Sequence, residues 1–480
     1  MTKSEAVAGL AVTRGPYWYD IPVSARTGMR VPARVYADPA LWEQIAQDRS
    51  LDQLLNVATL QGVADRVYAM PDVHEGYGFP VGGVAAMDAR SGVISPGGVG
   101  YDINCGVRLL ATDLVVDRVR DRVEAVVHDL SRSIPSGTGR GSRTSLAAGE
   151  LDRVLNDGVR YLVERGEALE EDLEVTEAHG ALTRADAGAV SERAKTRGRD
   201  QLGTLGSGNH FIEVQVVDEV ADADAATLYG LRAGQLVVLI HTGSRGLGHQ
   251  VCTDYVRLMD QVMPKYGITL PDRELACAPL RSSDGQRYFA AMCAAANFAF
   301  ANRQMITHRV REVFRRAFRD RGDVRVVYDV AHNMAKLEQH GGRELCVHRK
   351  GATRAFGPAD PETPARYRGA GQPVFIPGSM GTASWVLAGT DENRGLSFGS
   401  TCHGAGRAMS RHAAKKRQAG GEVRRELEGR GIVVRCASAG ELAEEAPYAY
   451  KDVERVVEVV HAAGLARKVA RLRPIGVVKG

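Results

Sequence analysis

A mixed α and β (α+β) fold is predicted, on three observations: recurring helical periodicity, short β-branched runs bounded by glycine, and 480 residues that are 44% hydrophobic and 25% charged. That composition is ample for a large packed core. Helices are predicted over residues 115–131, 151–165, 251–265, 286–318, 407–428 and 451–473, where apolar residues return every three to four positions. Strands are predicted over 82–87, 211–217, 235–241, 324–330, 373–376 and 432–436. Residues 135–143 and 349–364 read as the most exposed loops. Within the first, Gly137 to Gly141 lacks the Lys-Ser/Thr of a phosphate loop and reads as surface. Length alone suggests about three domains, but no repeat, low-complexity tract or linker divides the motifs.

A formal charge of +4 suits nucleic acid and an ordinary enzyme equally well, so charge selects no class. No run approaches the ~20 apolar residues that span a bilayer, and the amino-terminal residues hold no apolar leader core, so a soluble, cytoplasmic protein is expected. Seven cysteines (Cys105, Cys252, Cys277, Cys293, Cys346, Cys402, Cys436) form an odd, irregular set rather than a disulfide framework. Cys252, Cys277 and Cys293 read as small buried hydrophobes.

Nine of the 13 histidines separate by neighbourhood. His128, His308, His412 and His461 sit inside helical patterns and read as ordinary helix residues. His74, His210, His241, His332 and His403 sit where an apolar or glycine-rich run meets a polar loop, which is where sites are built. In the run Gly97 to Gly106, Asp102 and Cys105 add a carboxylate and a thiol three residues apart. With His210, His241 and His332 at strand ends there are five candidate ligands, one more than a single tetrahedral ion needs. Two ions sharing a thiolate is the natural count, and ligand softness alone favours zinc.

His403 opens Cys402-His403-Gly404-Ala405-Gly406-Arg407 and runs into a predicted helix carrying Arg407, Arg411 and Lys415 at four-residue spacing. An imidazole at a helix amino terminus is placed to meet phosphate, and its nitrogen can attack phosphorus. A helix cap beside a solvated basic face is the plainer alternative.

These residues resemble the RtcB-type RNA-splicing ligases, through blocks at 70–76, 95–106, 201–213, 241–248, 329–333, 377–384, 397–407 and 445–451 and the terminal Lys479-Gly480. The resemblance implies a single large intertwined domain, 1–480, with mixed sheets surrounded by helices and the active site in a central cleft; residues 1–65 form its amino-terminal portion. It implies that Asp102, Cys105, His210, His241 and His332 hold two Mn²⁺ ions with Cys105 bridging, which displaces the zinc expectation and leaves Zn²⁺ as a competitor. It implies equally that His403 is the nucleophile that carries GMP. Asn209, Glu213, Asn333, Ser379, Ser384, Ala405, Gly406, Tyr450 and Lys479 fall on positions that line the guanine nucleotide. Arg197, Arg245, Arg407 and Arg411 are similar to residues that hold RNA phosphates. Asp72 and His74 belong to the pattern without an assigned step.

The implied reaction joins an RNA 3′-phosphate or 2′,3′-cyclic phosphate to a 5′-hydroxyl in tRNA splicing or RNA repair. GMP passes from GTP to His403, then to the 3′-phosphate as RNA-ppG, before the 5′-hydroxyl displaces it. An archease-type activator is a possible partner. Three other classes compete. A binuclear phosphodiesterase leaves His403 and Lys479 unexplained, and a cysteine hydrolase lacks any local signature. A noncatalytic RNA-binding module sits poorly with 6% aromatic residues.

Overall fold

Two sheets built mainly from antiparallel pairs carry the fold in the computed structural model, which describes residues 12–137, 141–142 and 145–480. The first has seven strands in the order Thr13–Arg14, Trp18–Ile21, Ala33–Tyr36, Val63–His74, Val81–Asp88, Arg343–Lys350 and Asn333–His340. The second runs Val324–Ala331, Gly106–Val115, Gln235–Thr242, Phe211–Val220, Ala466–Lys479, Ser384–Gly389 and Pro373–Ile376, with Val433–Cys436 added parallel to Ala466–Lys479. Every residue of Gln235–Thr242 is buried, as a central strand covered on both faces should be.

The helix Ser283–Phe318 is the spine. Its middle, from Ala291 to Arg303, is buried all round, the mark of a core helix rather than an amphipathic surface one. Met292, Phe298 and Phe300 join one hydrophobic cluster, while Ile306, Val310 and Phe314 join the other. One element therefore braces both halves of the core.

The mixed α/β expectation holds, and all six predicted strands are present. Four helical expectations are corrected. Residues 115–131 begin as a strand end and two 3₁₀ turns, and the helix is Val123–Ser133. The 151–165 stretch breaks at Gly158, whose φ of 57° no helix accommodates, into Ala148–Asp157 and Val159–Glu164. The 407–428 stretch starts only at Arg411 and splits into Arg411–Arg417 and Gly420–Gly429. The 451–473 stretch is helical only over Val453–Ala462. There Gly464 turns left-handed at φ 76°, Leu465 N–H closes onto the Val460 carbonyl at 3.0 Å, and Ala466–Lys479 continues as strand. The 349–364 stretch is not an exposed loop: Ala352–Arg354 is a buried strand paired with Ser400–Cys402. The 135–143 loop falls partly outside the described residues.

Candidate metal centre and nucleotide cleft

Strand register gathers the ligand candidates. Gly106 pairs with both Thr242 and Ala331, and His241 pairs with Phe211. Cys105, His210, His241 and His332 consequently meet at one end of the second sheet. Cys105 Sγ lies 3.3 Å from His241 Nε2 and 3.5 Å from His210 Nε2. His241 Nε2 lies 3.2 Å from His332 Nε2, and His210 Nε2 lies 2.8 Å from Asp102 Oδ2. Two groups result, Cys105–His241–His332 and Asp102–Cys105–His210, and the thiol belongs to both.

The chemistry of this donor set fits cations. Both ring nitrogens of His210 face oxygen, Nδ1 the Leu205 carbonyl at 3.0 Å and Nε2 the Asp102 carboxylate at 2.8 Å. Within each of the two groups, thiol, imidazole and carboxylate donor atoms lie within 4.8 Å of one another, close enough to share one ion. Burial, reinforced by neighbouring histidines, holds His241 and His332 well below the usual imidazole range, so both are neutral, as ligands must be. Burial opposes ionisation of Asp102, yet His210, Cys105 and Arg245 hold its carboxyl below the ordinary range. Burial and the adjacent Asp102 push the Cys105 thiol up, so a thiolate here calls for a cation.

Buried polar groups hold the ligand loops. Arg303, on the spine helix, donates to the Asn104 carbonyl at 2.8 Å, the Thr242 carbonyl at 2.9 Å and both Asp329 oxygens at 2.8 Å. Those three residues adjoin Cys105, adjoin His241 and precede His332 by three. Arg108 makes a second bond to Asp329, at 2.7 Å, and all three side chains of the Arg108–Asp329–Arg303 cluster are fully buried. Asn333 spends its amide on the Asp102 carbonyl and the Gly351 N–H, so it positions the loops while facing the cleft.

Beside the cluster opens a cleft of about 330 Å³. His403 enters it from the Ser400–Cys402 strand, its ring centroid 4.8 Å from that of His332. Asp72 Oδ2 accepts both the His403 backbone N–H, at 3.1 Å, and Nδ1–H, at 2.6 Å. This sets the ring with its Nε2 lone pair free. The expected helix amino terminus at His403 is absent: the chain turns at Gly406, φ 74°, where a β-carbon would collide with the Asp72 carbonyl, and helix begins eight residues after His403. Lys451 Nζ clamps the Pro71 and Val73 carbonyls on either side of Asp72. Sequence reading included Asp72 without a role, and its orienting part emerges only from this contact. His74 lines the cleft with Nδ1 3.0 Å from the Asp72 carbonyl, and burial lowers its pKa to about 4.

Asn209, Ser379, Ala405, Gly406, Tyr450 and Lys479 line the same cleft. Glu213 and Ser384 lie behind its wall, joined through Gln215, whose Nε2 donates to Glu213 Oε2 at 2.6 Å and Ser384 Oγ at 3.0 Å. Glu445, the first residue of the 445–451 block, is the hub of the opposite wall. It accepts from Arg407 at 3.3 Å, from Arg411 at 3.1 Å and from the Tyr450 hydroxyl. Arg407 and Arg411 are thus tied inward rather than forming a free helical stripe. Arg245 packs on the metal side against Thr204 and His210, and Arg197 donates to Gln250 at 3.0 Å on the adjoining helix Arg245–Val262.

Fold and cleft define an α/β protein in which a thiol–imidazole–carboxylate cluster suited to two cations adjoins a histidine oriented by a buried aspartate. The chain belongs to the RtcB family: the family model described as tRNA-splicing ligase RtcB matches residues 53–480. It is 56% identical over 459 residues to the tRNA-splicing ligase RtcB of Thermococcus kodakarensis, covering 94% of this chain and 95% of that one. It is 52% identical to the protein of the same name from Pyrobaculum aerophilum, over 97% and 98% of the two chains. Identity to the RNA-splicing ligase RtcB of Mycobacterium tuberculosis is 54%, over 89% of this chain and all of that one. The match begins earlier than the motif blocks do, at residue 53 rather than 70. No described helix is long and apolar enough to cross a membrane.

Proposed function

We propose that this chain, acting as one catalytic domain, is an RNA ligase that joins a 3′-phosphate or 2′,3′-cyclic phosphate end to a 5′-hydroxyl end through GMP carried on His403. The observation that carries the reading is the Asp72–His403 pair: Nδ1–H is held at 2.6 Å, so the free nitrogen is Nε2, at the cleft beside the donor cluster. Family membership and the names of the relatives supply the substrate class.

Asp102, Cys105, His210, His241 and His332 would hold two Mn²⁺ ions, with Zn²⁺ as the softer competitor, and bound metal would neutralise charge on phosphate oxygens. His403 Nε2 attacks the α-phosphorus of GTP. The N–P bond forms as the bridging P–O bond breaks, pyrophosphate leaves, and Asp72 balances the positive charge on the ring. An oxygen of the RNA 3′-phosphate next displaces His403 from phosphorus, giving RNA-ppG and regenerating the imidazole. The 5′-hydroxyl then attacks the terminal RNA phosphorus, losing its proton as GMP departs. A cyclic end must first be hydrolysed to the 3′-phosphate. Arg197, Arg245, Arg407 and Arg411 hold RNA phosphates in this reading, and a cytoplasmic setting with an archease-type activator accompanies it.

Incubation with α-labelled GTP and Mn²⁺ tests the proposal. Wild-type protein should take an acid-labile covalent label, His403→Ala should take none at near-normal metal content, and Asp72→Asn should label about 100-fold more slowly or worse. Full labelling of His403→Ala would remove the nucleophile from this reading.

A further inference from the structure

Three aromatic rings from three separate segments meet at the edge of the cleft. Tyr101, the residue before Asp102, stacks on His249 with ring centroids 4.8 Å apart and planes 28° from parallel. Tyr77 meets Tyr101 edge to face at 5.5 Å. His249 is exposed on the Arg245–Val262 helix, both tyrosine rings are partly exposed, and both line the cleft. Neither tyrosine hydroxyl has a hydrogen-bond partner among the described residues.

The rings are held in place from behind. Lys350 Nζ donates to the Tyr77 and Phe79 carbonyls, and Glu274 accepts the Gly78 N–H at 2.8 Å, which locks the turn that carries Tyr77. The Tyr101 backbone lies between Gly100 and the ligand loop that Arg303 secures through Asn104. Arg197 reaches the same helix face, bonded to Gln250 one residue from His249. Partly exposed aromatic faces on a rigid frame, beside a guanidinium and next to a metal-ligand loop, have the composition of a single-strand nucleic-acid site: bases stack, and the backbone follows the positive charge. Packing alone does not account for a histidine stacked on a tyrosine in solvent.

We propose that Tyr77, Tyr101 and His249 form a stacking ledge for the unpaired RNA base adjoining the reacting phosphate, with Arg197 beside its backbone. The ledge rests on the RNA-ligase reading for its ligand, yet it is tested by binding alone. Stacking is tolerant of base identity, so the ledge grips an end without selecting its sequence.

The test compares short single-stranded RNAs, one set ending in a 3′-phosphate and one in a 5′-hydroxyl, each with a normal, a 2-aminopurine or an abasic terminal nucleotide. Binding to the full chain is followed by anisotropy without GTP. Wild-type protein should quench 2-aminopurine and bind the normal end about 5- to 100-fold more tightly than the abasic one for at least one of the two strands. That preference should vanish in His249→Ala and Tyr101→Leu and survive in Tyr101→Phe. Equal binding of normal and abasic ends by wild-type protein overturns the ledge even if a variant fails to fold. So does a preference that persists in both ring-removing variants, or one that disappears in Tyr101→Phe. A wild-type protein that shows the preference yet takes no label from GTP would instead sink the ligase mechanism and leave the ledge standing.

Discussion

Glu213 carries its carboxyl group in full burial, with Oε2 bonded to Gln215 and Oε1 without a partner among the described residues. Burial pushes its pKa up to about 8, although Gln215 and Lys479 pull the other way. Because the folded value is raised, the contribution of this group to stability is complete below the ordinary glutamate range and is lost as pH rises through about 8. Guanine offers N1–H and an N2 amine as adjacent donors, and an ionised carboxylate accepts both; adenine offers neither at those positions. GTP affinity is therefore expected to rise between pH 6.5 and 8.5 with release of one proton, measurable by calorimetry in buffers of different ionisation heat. Glu213→Gln should flatten that rise, and Glu213→Ala should narrow the preference for GTP over ATP because no buried acceptor is left unpaired by adenine. Equal GTP affinity across that range in wild-type protein would place the guanine elsewhere.

Ala466–Lys479 is the element whose assignment changed most and whose end matters most. It pairs with Phe211–Val220, Ser384–Gly389 and Val433–Cys436, and Lys479 stands opposite both Phe211 and Cys436. A residue one place from the chain end is ordinarily frayed, but this one is 2% exposed and inside the cleft wall. Its ammonium is pushed down by burial and supported by Glu445 and Glu213. A chain ending at Val478 should guanylylate slowly at limiting GTP, recover at high GTP, and keep its discrimination against ATP. Only the two terminal register pairs, Lys479 with Phe211 and with Cys436, are lost, so the melting temperature should move by about 2 °C. A fall of ten degrees would mean that the tail matters for folding rather than for nucleotide.

At the scale of the whole molecule, the spine helix joins the core to the donor cluster through Arg303. Arg303→Met leaves Asp329 buried with Arg108 as its only charged partner among the described residues, a loss of about 3–5 kcal/mol that denaturant titration can measure. Bound metal should fall in this variant although all five candidate ligands are intact. Cys105→Ala supplies the contrast: it removes the donor shared by both groups, so metal content and ligation should fall together with little change in the stability of the metal-free protein. Normal metal content in Arg303→Met would show that the ligand loops keep their geometry unaided.

Much of the candidate site was legible in the sequence because its chemistry is local. Gly97 to Gly106 carries thiol and carboxylate together, and each candidate ligand histidine is flanked by an apolar run ending in polar residues, a pattern strand ends impose whatever the tertiary setting. The strand positions followed for the same reason, since β-branched runs bounded by glycine state their own conformation. What tertiary structure alone decided was convergence. The partition of the histidines between two donor groups depends on register across Gly106, Thr242, Ala331 and Phe211. The orientation of His403 depends on a contact with Asp72 across 331 residues. The final strand was misread as helix because its helix-compatible residues are overruled by pairing with three neighbours. Side-chain periodicity encodes which face of an element is buried; it does not encode which distant element will bury it.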